Sequence, residues 1–196
     1  MPHNKIVSDA INSYQETLSE AITIARTLTL EPFFELSFNT SAISSEWTES
    51  KLQDLRTGYA LPDKRKCVLY IFKLDNPQQS RIVLSEIERA KGEQGTDDGK
   101  KNLCTFNRQF DGSETLYVGR SFTPRSRISQ HLVSSKSGTY AMHLEEWAKP
   151  LALTINLTVY DVPEYSDKVE VERAMSVLET GVWDHLRPLL GRRGDR

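Results

Sequence analysis

Residues 115–132 read TLYVGRSFTPRSRISQHL. The run opens apolar and β-favouring, breaks at Gly119, and continues with Ile128 and Leu132 one helical turn apart. This predicts a strand feeding a helix over Arg125 to Val133. Arg127 and His131 are four residues apart and so share one face of that helix. Ile128 and Leu132 pack inward and turn that face outward. Arginine suits a bidentate grip on phosphate, and histidine exchanges protons near neutral pH. The unit points to phosphate chemistry, although a solvated basic face would explain the Arg–His pair taken alone.

The surroundings of this unit are unusual for the chain. The protein has 196 residues, 38% hydrophobic and 27% charged, with a formal net charge of −2, the composition of an ordinary globular protein without a global basic field for nucleic acid. Yet from Thr115 to Leu144 there is no Asp or Glu, where 27 acidic residues in the chain would place about four. That window carries Arg120, Arg125, Arg127 and Lys136, a local positive patch. No apolar run approaches the roughly 18 residues of a membrane span, and the start lacks a basic-then-apolar leader pattern. A cytoplasmic location without membrane association is expected. Cys67 and Cys104 read as buried thiols in strand-like runs rather than a disulfide. The histidines His3, His131, His143 and His185 show no metal-ligand spacing.

Residues 1 to about 60 read as helical. Val7, Ile11, Tyr14, Leu18, Ala21, Ala25 and Leu28 form an apolar seam of heptad type, which suits packing on the chain's own domain or a dimer contact. Glu31-Pro32 is expected to end this helix. Ser41 to Arg56 reads as a second helix or a helical turn, and Thr57 to Lys66 as a polar connector. CVLYIFKL (Cys67–Leu74) suits a central strand, Ser80 to Lys91 a helix, and Gly92 to Lys101 a glycine-rich loop. NLCTFNRQF and TLYVGR, separated by DGSE, suggest a hairpin. Tyr140 to Ala148 reads as a short helix, Leu151 to Val159 as an alternating strand, and Val169 to Leu186 as the last helix. The sum is an α+β fold: a small, mainly antiparallel sheet flanked by helices, with an N-terminal helical arm. The expected division is an extension over 1–65, a catalytic unit over 66–191 with an insertion at about 75–113, and a basic tail over 192–196 best read as disordered.

Four motifs in this order resemble the GIY-YIG nuclease family. They are Val68-Leu69-Tyr70, Tyr117-Val118-Gly119, Arg127 with His131, and LETGVWDHLRPLLG (Leu178–Gly191). Arg127 lies ten residues after Tyr117 and His131 four further on, as in the family's phosphate-binding arginine and its histidine-bearing members. Arg120 follows the glycine directly, where some members carry lysine. Glu179, with Pro188 nine residues later, resembles the family's metal-binding glutamate on the closing helix; Glu170 and Glu172 are rivals for that role. The chain departs from the pattern in three places. Val68 replaces glycine, Tyr70 and Tyr117 stand 47 residues apart, and Gly191 occupies a position that often carries asparagine.

The resemblance implies a metal-dependent DNA endonuclease. Glu179 would hold a divalent ion, Mg²⁺ with Mn²⁺ as the alternative. Arg127 would hold the phosphate. Tyr70 and Tyr117 would orient the attacking water, one of them as a base with a phenol pKa lowered by Arg120 or the metal, and His131 would accept or relay the proton. Arg120, Arg125, Lys136, Tyr140 and His143 are the expected substrate contacts. A restriction-type dimer joined through the N-terminal helix is one version and a structure-specific repair or phage-defence nuclease another. A non-catalytic nucleic-acid-binding module of the same fold is the alternative class, and an unrelated α+β protein with chance motifs is the third.

Overall fold

A computed structural model of the chain describes residues 3–57, 67–93, 102–133, 139–161 and 168–194. Most of the expected connector up to Lys66, most of the glycine-rich loop, Pro163, Lys136 and the last two residues of the tail lie outside the described residues.

The sheet is built around Val68–Leu74 (β2). Its neighbours are Thr115–Ser121 (β3) and Thr154–Asp161 (β4), with Glu31–Asn39 (β1) beyond β4; the order is β1-β4-β2-β3 and every pairing is antiparallel. The helices are His3–Thr27 (α1), Ser45–Lys51 (α2), Asp54–Thr57 (α3), Ser80–Glu93 (α4), Pro124–Leu132 (α5), Leu144–Trp147 (α6) and Lys168–Leu186 (α7). The fold is α+β, with a four-stranded antiparallel sheet between helices.

β2 is apolar at every position but Lys73, because both of its faces are covered. Val68, Tyr70, Phe72 and Leu74 join the larger core with Val83 and Ile87 of α4, Ile128 and Leu132 of α5, and Trp147 of α6. Leu69 and Ile71 face the other way, onto Met175 and Trp183 of α7. β4 instead alternates, with Ile155, Leu157 and Val159 buried between half-buried Thr154, Asn156 and Thr158. On β3 a bulge opposite Phe72 and Lys73 breaks the alternation. It brings the neighbours Leu116 and Tyr117 to one core, while Val118 faces α7.

Four sequence expectations are corrected. The segment from 1 to about 60 is not all helical, since Glu31–Asn39 is an edge strand paired with β4. Its Phe34, Leu36 and Phe38 alternate inward like a strand, so the stretch expected as an extension supplies part of the sheet. The expected hairpin is absent: β3 pairs with β2, and residues 102–107 contribute only isolated bridges, Leu103 to Ala141 and Phe106 to Leu190. Only Leu144–Trp147 of the expected Tyr140–Ala148 helix is helical, because His143 before it is in the left-handed region at φ 48°. The tail's first residues are fastened rather than disordered: Arg192 donates to Thr105, and Arg193 forks onto Asp184. The helix of the expected insertion is likewise part of the core, through Val83, Leu84 and Ile87.

The apolar seam of α1 divides in two. Ala21 is buried where α1 packs on α7, whereas Val7, Ile11, Tyr14 and Leu18 are exposed, with Ile6 beside them. Phe72, with no exposed surface, is the test of the central strand. Phe72→Ala is expected to cost about 3–5 kcal/mol in denaturant unfolding, through the cavity it opens.

Candidate active site

β2 and β3 place the two tyrosines by register. Tyr70 opposes Gly119 and Phe72 opposes Tyr117, so both phenols rise from the same face of the sheet. Their rings stack in parallel, centroids 6.2 Å apart with 6° between planes. The missing side chain at Gly119 makes this possible, since a Cβ there would stand 2.5 Å from Tyr70 Oη and 2.9 Å from a Tyr117 ring carbon. Gly191, at φ 95°, closes the other side; a Cβ would lie 2.8 Å from the Tyr117 ring. Asn107, a residue the sequence reading passed over inside a presumed strand, holds this turn through bonds from Nδ2 to the carbonyls of Pro188 and Gly191.

Helix α5 brings His131 and Arg127 onto the same two rings. Proline at its first turn suits the helix start, and Ile128 and Leu132 are fully buried. His131 is fully buried, not outward, with its ring 4.4 Å from Tyr117 and 5.7 Å from Tyr70. Its Nδ1 accepts the Met142 backbone N–H at 3.2 Å. Burial, with the charges of Arg127 and His143 adding, holds the imidazole well below the ordinary histidine pKa. A neutral ring that accepts at Nδ1 must carry its proton on Nε2. Nε2 therefore donates to Tyr70 Oη, 3.1 Å away. Of the two expected roles, accepting or relaying the proton, acceptance at Nε2 does not fit this tautomer, in which the ring donates to Tyr70 Oη.

Arg120 does not lower a phenol pKa as expected, and both phenols shift upward. Burial, then the neighbouring Tyr117, raises Tyr70 well above the usual tyrosine value, and Arg127 offsets only part of it. Burial likewise pushes Tyr117 up to about 12 despite the nearby Arg127. Both phenols are neutral near pH 7. Tyr70 is buried, and Tyr117 is half-buried.

Arg127 is oriented by bonds to Gln130 Oε1 at 3.1 Å and the Tyr140 carbonyl at 2.8 Å. Burial works against its charge, but the two phenols outweigh that and raise its pKa. Neither bond neutralises it, so its charge stays available to an anion.

Glu179 comes from α7 on the far side of β3. Its Oε2 accepts from Arg120 Nε at 3.0 Å, with only 16% of the glutamate side chain and 23% of the arginine side chain exposed. Arg120 is therefore a partner of the carboxylate and not of a phenol. Burial raises the Glu179 pKa, with Arg120 and Arg127 opposing. Its charge in turn raises both phenols, which brings the carboxylate into the electrostatic reach of the cluster. The rivals differ: Glu172 is exposed on α7, and the Glu170 side chain lies outside the described residues.

Two expected substrate contacts are placed elsewhere. Arg125 pairs with Glu49 of α2, beside a cavity of about 490 Å³ lined by Thr48, Leu52, Phe122 and Ser129. His143 has no exposed surface, and its ring nitrogens face the carbonyls of Val133 and Thr139, so it fastens the chain on either side of residues 134–138. Tyr140, 38% exposed, does stand at the surface next to Arg127.

Among the described residues no group of three or more His, Cys, Asp or Glu could hold a metal. Glu179 alone fits an ion that keeps most of its waters, as Mg²⁺ does with one or two carboxylates. Burial leaves that charge short of solvent, and Arg120 answers it through its Nε and its backbone.

Two outcomes are expected of these side chains. Gly119→Ala forces the stacked phenols apart and costs about 1–3 kcal/mol, as overpacking does, read from unfolding curves. The unfolded chain protonates histidine near pH 6.5, whereas buried His131 does so only at lower pH. The unfolded state therefore binds more protons between those values, and stability falls as pH drops below about 6.5, by up to ~1.4 kcal/mol per unit. His131→Gln should lack this component.

Compared with protein-family models, curated proteins and solved structures, the chain finds no significant match.

Proposed function

We propose that the protein is a metal-dependent endonuclease that hydrolyses DNA phosphodiester bonds, with a site of GIY-YIG type. The observation that carries this reading is the convergence of Tyr70, Tyr117, His131 and Arg127 in one cluster whose phenols feel the charge of Glu179. Arg127 holds the non-bridging oxygens and grips harder as charge builds on them. Tyr117 is the phenol that water can reach, because Tyr70 is buried, so Tyr117 orients the attacking water. Tyr70 and His131 stand behind it and fix its ring. A divalent ion on Glu179, Mg²⁺ or Mn²⁺, would supply Lewis-acid stabilisation of the leaving oxygen when bound. Arg120 holds that carboxylate in place through its Nε.

One observation favours a non-catalytic nucleic-acid-binding module instead. The Arg120–Glu179 pair already satisfies the carboxylate, and a binding module has no need to free it. Plasmid cleavage with Mg²⁺ separates the two readings, with EDTA as the blank. Wild type should cut. Arg127→Ala should lose on the order of 100- to 1,000-fold, Glu179→Ala should abolish cutting, and Tyr117→Phe should lose at least about 100-fold. DNA binding without cutting under any condition would favour the binding module. Discrete fragments would mark a restriction-type enzyme, and cutting confined to branched or flapped DNA a repair or phage-defence enzyme.

A homodimer through α1 belongs to the same proposal. Ile6, Val7, Ile11, Tyr14 and Leu18 leave an apolar stripe in water, and two such stripes would cover each other as a short coiled coil. Light scattering should give twice the chain mass for wild type and the single-chain mass for Ile11→Glu. A monomeric wild type would remove the dimer.

A further inference from the structure

Beside Arg127 the surface carries two cations held by one aromatic ring. Lys91 lies in the last turn of α4; its Nζ lies 5.6 Å from the Tyr140 ring centre and donates to the Cys104 carbonyl at 3.2 Å. The guanidinium carbon of Arg192 lies 5.2 Å from the same ring, and its Nε donates to Thr105 Oγ1 at 3.0 Å. Thr105 Oγ1 is also 3.1 Å from Tyr140 Oη. Three separate stretches of chain are thereby gathered around Tyr140. The backbone supports them, with Gly191 N–H donating to the Thr105 carbonyl and Cys104 N–H to the Ala141 carbonyl.

What distinguishes these two cations is what holds them. Arg108 pairs with Glu88, Arg120 with Glu179, Arg125 with Glu49 and Arg193 with Asp184. Lys91 and Arg192 have no carboxylate partner among the described residues. A ring, a carbonyl and a hydroxyl fix their positions without cancelling their charge. Two like charges drawn to one ring also repel each other, and an anion accepting from both would remove that repulsion. Arg127, bonded to the Tyr140 carbonyl, places this pair next to the phosphate assigned to it. Although burial opposes it, the Tyr140 phenol pKa is lowered by Thr105, Lys91 and Arg192, as befits an uncompensated positive site.

We propose that Lys91 and Arg192, spread by Tyr140, form a second phosphate clamp that holds the DNA strand one step along from the phosphate on Arg127. The clamp rests on the nuclease reading only for the identity of its neighbour; it binds phosphate whether or not the protein cuts. Its effect is on affinity and salt dependence, because each phosphate neutralised releases condensed counterions.

The test is binding of a labelled duplex oligonucleotide by fluorescence anisotropy, in EDTA, over a series of salt concentrations. Lys91→Gln with Arg192→Gln should lower the slope of log affinity against log salt by about 2 and weaken binding at 0.1 M salt by at least about tenfold. Lys91→Arg with Arg192→Lys keeps the charges and should keep the slope. Arg81→Gln, at the opposite end of α4 from Lys91 and paired with Asp111, should leave it unchanged. An unchanged slope in the double glutamine variant overturns the clamp and leaves the nuclease reading standing. A lost slope together with a wild type that never cuts plasmid overturns the nuclease reading and leaves the clamp. A wild type that binds no DNA removes both.

Discussion

Everything at the candidate site hangs on the hydrogen bond between His131 Nε2 and Tyr70 Oη. A phenol buried in the middle of the sheet needs a partner, since an unpaired buried hydroxyl costs about 1–3 kcal/mol. The imidazole can supply one only as a donor, because Met142 already occupies its other nitrogen. That single constraint sets the depth of α5 on the sheet. Arg127, one turn earlier, is thereby delivered to the rim while His131 goes inside. It also fixes the histidine tautomer and hence its chemical role.

The second organising feature is a division of charge across β3. On the α5 side, Arg127 keeps its charge beside two neutral phenols. On the α7 side, Arg120 and Glu179 balance each other. The strand between them is an edge strand, and the segment 189–191 runs along it through bonds from Leu189 and Leu190 to the carbonyls of Thr115 and Leu116. Gly191 in this segment and Gly194 beyond it are close against Tyr117 and Glu179 respectively. A side chain at either would push on the site.

Much of the scaffold was legible in the residues. The largely apolar run of Cys67–Leu74 marked a central strand, and the alternation after Leu151 marked one covered on a single face. The strand-to-helix unit at 115–132 was readable from Gly119 and the Ile128–Leu132 spacing. β1 carries its own signal in the alternation of Phe34, Leu36 and Phe38, but Pro32 also has the character of a helix stop. His131 was misplaced on an outward face because helical spacing gives shared faces, not which face is buried. With Ile128 and Leu132 adjacent, an imidazole on the flank of the apolar stripe is covered once the tyrosines arrive.

The sequence by itself determined β2, β3, β4, α4, α5 and α7, the small antiparallel sheet and the residue types capable of phosphate chemistry, because these follow from local periodicity and side-chain character. Only the tertiary structure decided that Arg120 belongs to Glu179, that Arg125 and His143 are engaged elsewhere, and that both phenols are held neutral. Each of these depends on partners far apart in the chain, such as residues 120 and 179 or 70 and 131. Burial and charge act through space, and local spacing carries no record of them.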